Sequence, residues 1–325
     1  MSIDARDWKR AVEALWDARS IALACHVGPD GDALGSMLAL GLALRARGAE
    51  VVASWGSDPF EVPRQYGFLP GLDLLVPPDR FPERPPVMAT FDAGSMDRLG
   101  SLVPNAHAAG ELIVCDHHVS NDRFGTINLV DPEAAASAVV VRDLLGRLDV
   151  TLDADVATCL YTGLVTDTGR FQYKNTTPAV HAIAADLIAA GAPHDKITEI
   201  VYNSHPIGYL RLAASALERL EHRPDASMVW TWVTQDDLAR NDVTMDDIEG
   251  LIDLVRTADV ADVAAVLKEQ PDGRYKVSMR SKGGSNVGAL CESMGGGGHA
   301  LAAGFTADGT DARETIDQIV EALRS

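Results

Sequence analysis

Through the first half of the chain, short apolar runs alternate with stretches of helical periodicity, and this alternation restricts the fold more than any other property of the sequence. Residues 20–26, 50–55, 87–92 and 111–116 read as buried strands, each bounded by Gly, Pro or charge. Residues 37–47, 134–148 and 155–166 read as helices. Such alternation implies an α/β fold: a mostly parallel sheet with flanking crossover helices. Ligand sites in these sheets collect at the carboxyl ends of the strands. Three of the four runs end there in His26, Asp92 and Asp116.

The second half reads differently. A helical stretch over 206–220 links it to the first, strand patterns fall at 227–233, 260–268 and 274–279, and helices at 245–256 and 311–323. A smaller α+β domain is expected, and 325 residues is ample for two domains. The expected division is a catalytic domain over 1–205, a helical linker over 206–222 and a substrate-binding domain over 223–325, with the site in the cleft between the domains.

Hydrophobic residues make up 46% and charged residues 23%, enough for an ordinary core. Cys25, Cys115, Cys159 and Cys291 form no CxxC pair, which suggests neither a zinc site nor a disulfide framework. Free thiols fit a reducing cytoplasm. Residues 1–19 read as a mixed-charge helix and not a signal peptide. No stretch approaches the roughly 18 uninterrupted apolar residues of a membrane span. A cytoplasmic protein with no membrane partner is expected. The net charge of −19 argues against gripping long nucleic acid, because that affinity comes from Lys and Arg neutralising many phosphates. A nucleic-acid substrate would be held by one or a few phosphates, with metal ions supplying positive charge.

His26-Val27-Gly28-Pro29-Asp30-Gly31-Asp32 places an imidazole and two carboxylates in a tight loop after the first strand. That mixture suits Mn²⁺ or a similar divalent ion. It also fits a solvated Asp/Gly turn beside a core histidine. Asp92 closes a strand, where an acid is often just a helix cap. Asp116-His117-His118 closes another, and Asp167 ends a helical segment. Each cluster is modest alone, but all fall at the expected active-site edge of one sheet. A bridging carboxylate suits two divalent cations about 3.5–4 Å apart.

His26-x-x-x-Asp30-x-Asp32, Asp92, Asp116-His117-His118 and Asp167 resemble, in order, the four motifs of DHH-family phosphoesterases. Arg280-Ser281, Asn286-Val287, Gly295-Gly296-Gly297-Gly298-His299 and Ala302-Ala303-Gly304-Phe305 resemble the C-terminal domain associated with that family. The resemblance is to the nanoRNase and pAp phosphatase branch, and it implies two metal ions, Mn²⁺ foremost. One would be held by His26, Asp30 and Asp92, the other by Asp32, Asp92, His117 and Asp167, with Asp92 bridging. His118 would stand just outside the metals, as a catalytic residue with Asp92. Arg280, Ser281, Asn286, Gly296, Gly297, Gly298 and His299 would bind substrate, the glycines letting backbone N–H groups approach a phosphate.

Implied substrates are short RNA or DNA oligonucleotides, linear dinucleotides and pAp, with cyclic di-AMP as an additional one. A homodimer is common among the proteins it resembles. Two alternatives stand beside this reading: a pyrophosphatase or exopolyphosphatase of the same family, and a nucleotide-sensing protein without turnover. Every implied ligand is present, which disfavours the sensor. Arg170 lies beside Asp167, where a cation could contact phosphate, but it reads rather as a solvated loop residue. Cys25 and Cys115 read as packing residues, because no base and orienting group accompany them. No G-x-G-x-x-G follows the first strand and no P-loop occurs, which argues against a dinucleotide oxidoreductase and a nucleotide-driven motor.

Overall fold

The computed structural model describes residues 3–324; residues 1, 2 and 325 lie outside it, including the first two of the expected N-terminal helix. Two compact units result, divided between Val201 and Tyr202 at the last residue of a helix. The first contains α1 (Ala5–Asp17), β1 (Ser20–Cys25), α2 (Gly31–Ala46), β2 (Glu50–Trp55), β3 (Val87–Phe91), α3 (Val103–Ala108), β4 (Glu111–Asp116), β5 (Ile127–Val130), α4 (Ser137–Arg147), α5 (Ala154–Asp167), α6 (Pro178–Ala189) and α7 (His194–Tyr202).

Its five strands are all parallel, in the order β2-β1-β3-β4-β5. The order reverses between β1 and β3, and such a switch point opens a crevice at the strand ends. All of β3, and β1 and β4 after their first residues, are buried. This explains why they read as continuous apolar runs: a parallel sheet covered on both faces has no polar side.

α2 begins six residues earlier than the expected helix over 37–47. Its first turn holds Asp32, so residues 30–32 form a helix start and not a free loop. The cause lies in Asp30, whose Oδ1 accepts from the backbone N–H groups of Asp32 and Ala33, both at 3.0 Å. Residues 31–44 of α2 are buried all round, so no amphipathic stripe marked where the helix begins. Small residues let α5 pack closely on it. A Cβ at Gly35 would come within 2.3 Å of the Cys159 carbonyl oxygen, and one at Gly31 within 2.6 Å of the Thr166 side chain.

The second unit contains α8 (Ile207–Glu218), β6 (Glu221–Arg223), β7 (Met228–Val233), α9 (Gln235–Asn241), α10 (Leu251–Val255), β8 (Val263–Glu269), β9 (Tyr275–Ser281), α11 (Val287–Ser293), β10 (Gly297–His299), β11 (Ala302–Thr306) and α12 (Ala312–Arg324). Its sheet runs β10-β11-β9-β8-β7-β6, mixed, with only β7 and β8 parallel. Residues of β8 alternate between two apolar clusters. Val263, Ala265 and Leu267 join the cluster shared with α11 and α12, while Ala264 and Val266 join that of α8, α9 and α10. The segment read as a linker helix thus buries Tyr209, Leu212, Ala213 and Ala216 in this unit's core. The helix expected over 245–256 is interrupted at Gly250, leaving a short turn over 246–248 and α10. No helix among the described residues is long and apolar enough to cross a membrane.

Candidate metal centre

His26 follows β1, Asp92 follows β3, Asp116 ends β4 with His117 and His118 just beyond, Asp30 caps α2, and Asp167 ends α5. These elements meet at the carboxyl edge of the parallel sheet. His26 Nε2 lies 3.4 Å from Asp92 Oδ2 and 3.8 Å from Asp30 Oδ2. His117 Nε2 lies 3.4 Å from Asp92 Oδ1, 3.1 Å from Asp167 Oδ2 and 4.0 Å from Asp32 Oδ2. Two groups, His26–Asp30–Asp92 and Asp32–Asp92–His117, therefore bring potential ligand atoms within 4.8 Å of one another and share Asp92. Its two oxygens face different histidines, as a bridging carboxylate requires.

The chain holds these groups from behind. His26 donates from Nδ1 to the Val27 carbonyl oxygen at 2.9 Å, and His117 from Nδ1 to that of Ala134 at 3.3 Å, so each turns Nε2 toward the carboxylates. Asp32 is wholly buried; it accepts from the backbone N–H groups of Ser137 (2.6 Å) and Ala138 (2.9 Å) and from Ser36 Oγ (3.1 Å). Those two N–H groups open α4, where a helix favours negative charge. Ser137 Oγ also donates to Asp92 Oδ1 at 3.0 Å. Asp92 itself has φ of 54°, a left-handed conformation that Asp tolerates better than most residues. Beyond Asp167, Gly169, Arg170 and Phe171 are all left-handed, with φ of 54°, 61° and 62°. Asn175 Nδ2 ties the Asp167 carbonyl oxygen to that of Ala135.

The protonation balance follows from this crowding of buried carboxylates and imidazoles. Burial acts downward on the His26 imidazole, but Asp30 and Asp92 outweigh it and raise it to about 10. The carboxylates around His117 likewise raise it well above its ordinary value against burial. Burial pushes the Asp32 carboxyl up to about 7, with the Asp92 charge adding to it. Burial and the neighbouring acids also raise Asp167, whereas the two histidines hold Asp92 well below the carboxylate range despite burial. Without cations, protons must offset crowded negative charge. A mixed His/Asp donor set carrying such an excess fits divalent metal ions.

His118 stands beside this cluster. Its Nδ1 is 2.8 Å from Asp116 Oδ1 and 3.6 Å from Asp92 Oδ1. Asp116 Oδ2 accepts from Asn121 Nδ2 at 2.5 Å, and Asn121 also donates to the Ala93 carbonyl oxygen. Cys25 and Cys115 are buried, and burial raises both thiols, which suits packing and not nucleophilic attack.

Sequence reasoning missed Ser137, Asn121 and Arg98, whose Nη2 comes within 3.3 Å of His26 Nδ1. The Ser opening a helix in Ala-Ala-Ala-Ser was the available signal for Ser137. Nothing local marks Asn121 or Arg98.

In the second unit, Arg280 lies on β9; its Nη1 donates to the Met279 carbonyl oxygen at 3.0 Å, and its buried Nε has no hydrogen-bond partner among the described residues. Ser281 is buried; its Oγ donates to Asp262 and accepts from the N–H groups of Gly283 and Ser285, so it organises the loop after β9. Asn286 caps α11 through the Ala289 N–H. Gly296 packs where a Cβ would lie 2.2 Å from the Gly304 carbonyl oxygen, while Gly297 has open space and Gly298 a φ of 137°. His299 ends β10, exposed.

Comparisons with known proteins agree with this architecture. Residues 20–164 match the DHH family, N-terminal domain, and residues 226–325 match the DHHA1 domain. Over 94% of its length the chain is 37% identical to the bifunctional oligoribonuclease and PAP phosphatase NrnA of Thermus thermophilus, covering 89% of that protein. An exopolyphosphatase-related protein from Bacteroides fragilis superposes with a TM-score of 0.90 at 26% identity, covering 99% of each chain. RecJ of Thermus thermophilus, crystallised with Mn²⁺, shares the fold with a TM-score of 0.55 at 16% identity, covering 98% of this chain and 54% of that one. The chain belongs to the DHH family and is a hydrolase of phosphoester bonds.

Proposed function

We propose that the protein hydrolyses short oligonucleotides and linear dinucleotides such as pApA to 5′-mononucleotides, and pAp to AMP, with cyclic di-AMP as an additional substrate. The observation that carries this reading is the pair of donor groups meeting at Asp92. The Thermus thermophilus relative, named for oligoribonuclease and PAP phosphatase activity, supports the substrate class. The metal is Mn²⁺, a choice supported by the donor set and by RecJ.

His26, Asp30 and Asp92 would hold one ion, and Asp32, Asp92, His117 and Asp167 the other. Two divalent cations so placed supply a lowered pKa for water and stabilisation of phosphoryl charge. The chain's own residues do the rest. Asp116 fixes the His118 ring, whose remaining nitrogen contacts a phosphoryl oxygen of the substrate. Arg280 offers a forked guanidinium to phosphate, and its unpartnered Nε is accounted for by such a ligand. Asn286, Gly296, Gly297, Gly298 and His299 complete the nucleotide grip, and Ser281 shapes it through its loop.

The test offers pApA, a 5-mer, a 24-mer, pAp, pyrophosphate and cyclic di-AMP to protein supplied with Mn²⁺, with Asp92→Ala as control. Rapid release of mononucleotides from the short species, lost in the control, is the expected result. Turnover of pyrophosphate alone would move the protein to the pyrophosphatase reading, and Asp92→Ala with full activity would overturn the metal assignment.

A further inference from the structure

Arg98 stands beside the metal centre without being able to ligate a metal. It lies on the turn over Met96–Leu102, which follows β3 and Asp92. Leu99 and Leu102 anchor that turn in the apolar cluster that also holds Ala22 and Ala24 of β1. The Val27 N–H donates to the Arg98 carbonyl oxygen at 2.8 Å, and the Ser101 N–H to that of Gly56 at 3.2 Å, so the turn is tied to the residues after β1 and β2. At Gly100 φ is 58°, and a Cβ there would lie 2.5 Å from Val27 Cγ1 and 2.6 Å from the Gly56 carbonyl oxygen. Glycine is what lets these three segments meet. The base of the Arg98 side chain is thereby fixed beside His26, and its Nη2 stands 3.3 Å from His26 Nδ1.

That neighbour offers the guanidinium no acceptor in the metal-binding arrangement. An imidazole that turns Nε2 to a metal carries its proton on Nδ1. Here that proton goes to the Val27 carbonyl oxygen at 2.9 Å. Guanidinium nitrogens only donate, so two donors face each other. No carboxylate of the described residues lies within 4.0 Å of the Arg98 guanidinium, although Asp30 and Asp92 both flank His26. Nor does the charge help a metal, because a cation beside a ligand histidine repels a divalent ion at Nε2. What a guanidinium so placed matches is an anion brought to the same ions, with oxygens that accept from its fork.

We propose that Arg98 is a substrate-binding residue whose guanidinium donates to a non-bridging oxygen of the phosphoryl group under attack, on the His26 side of the centre. This rests on the metal assignment and the nucleotide substrates proposed above. The attacked phosphate is common to both reactions, the diester of pApA and the 3′-phosphate of pAp, so the contact serves both.

The experiment compares wild type, Arg98→Gln and Arg98→Lys by titrating Mn²⁺ into metal-free protein, titrating AMP into Mn²⁺-loaded protein, and measuring kcat/KM for pApA and pAp. AMP is the product that carries the attacked phosphate of pApA. The Arg98 side chain has no other hydrogen bond among the described residues, and its carbonyl bond to Val27 survives any substitution, so each variant should melt like wild type. AMP should bind Arg98→Gln about 10-fold or more weakly, as for one lost hydrogen bond between charged groups. The kcat/KM for pApA and pAp should fall by a similar factor, while Mn²⁺ binds at least as tightly as to wild type. Arg98→Lys keeps the charge without the fork and should fall between the two. The Mn²⁺ titration separates this role from a structural one: a side chain that merely steadied His26 would weaken Mn²⁺ binding when removed. That outcome, an unchanged AMP affinity in Arg98→Gln, or a loss confined to one of the two substrates would overturn the inference while leaving the metal and substrate readings intact. Wild-type protein that binds Mn²⁺ but hydrolyses neither pApA nor pAp would overturn the substrate reading and the inference with it.

Discussion

A methyl group added at Gly163 should separate metal binding from folding. Gly163 faces α2 from inside α5, and a Cβ there would lie 2.7 Å from Asp32 Oδ1, 2.9 Å from the Ala138 methyl and 3.2 Å from Asp32 Cα. Overpacking of this kind costs about 1–3 kcal/mol, while Ala in place of Gly inside a helix returns about 1 kcal/mol. The net loss is roughly 0–2 kcal/mol, and with ~2–4 °C per kcal/mol in a unit of this size the melting temperature of metal-free Gly163→Ala falls by less than about 8 °C. Its effect on Asp32 is larger. That carboxylate is fixed by three hydrogen bonds from Ser36, Ser137 and Ala138 and cannot move without losing some of them. Losing such support behind a metal ligand typically costs 10–100-fold in affinity. Calorimetry of metal-free protein and titration with Mn²⁺ read the two effects separately. Gly146→Ala in α4, where a Cβ meets nothing within 4 Å, is the control: it should stabilise slightly and bind Mn²⁺ normally. Gly163→Ala protein with wild-type Mn²⁺ affinity would refute the claim that the α2–α5 contact sets the metal site.

Ser137→Ala keeps the backbone bonds to Asp32 but removes the hydroxyl on Asp92, and should weaken Mn²⁺ binding about 10-fold or more with little change in melting temperature. Arg280→Lys retains charge without the fork, so KM for dinucleotides should rise while kcat holds; an unchanged KM would remove Arg280 from the grip. Glu249 gives a pH dependence. Burial acts upward on its carboxyl, but Lys268 and Lys276 outweigh it and hold it at about 2 against an ordinary 4.5. A carboxyl lowered in the folded state contributes stability that is fully present above about 4.5 and lost as pH falls toward 2. Urea midpoints of Glu249→Gln should therefore be lower than wild type at pH 7, where buried Lys268 loses its partner, and converge with it near pH 2.

Much of the first unit was legible because a parallel sheet covered on both faces forces continuous apolar runs, and the candidate metal-binding residues follow those runs directly. His26, Asp92 and His117 sit one residue beyond their strands for that reason. What stayed hidden depends on contacts distant in sequence. The start of α2 was obscured because a helix buried all round shows no polar face. Ser137 reaches Asp32 and Asp92 across 105 and 45 residues of chain, which no local pattern records. α6 and α7 carry no ligand and few turn signals, and the strand pair β10 and β11 is too short and glycine-rich to show alternation. In the substrate-grip motif, Ser281 resembled a ligand-binding residue by type, but its hydroxyl is committed to Asp262 and its own loop.

The distribution of charge links these observations to the size of substrate. Asp30, Asp32, Asp92, Asp116 and Asp167 crowd one pocket edge, and the chain as a whole is strongly acidic. A long polyanion approaching such a surface is repelled along most of its length and gains attraction at only a few points. On the proposed reading, a substrate with one to a few phosphates would escape most of that repulsion, because its charges would meet cations locally: metal ions held at the Asp92 cluster, and Arg280. The acidic surface would then favour short substrates over long ones. Raising the salt should narrow the gap between short and long substrates, because screening weakens a repulsion spread over the surface more than contacts made at close range.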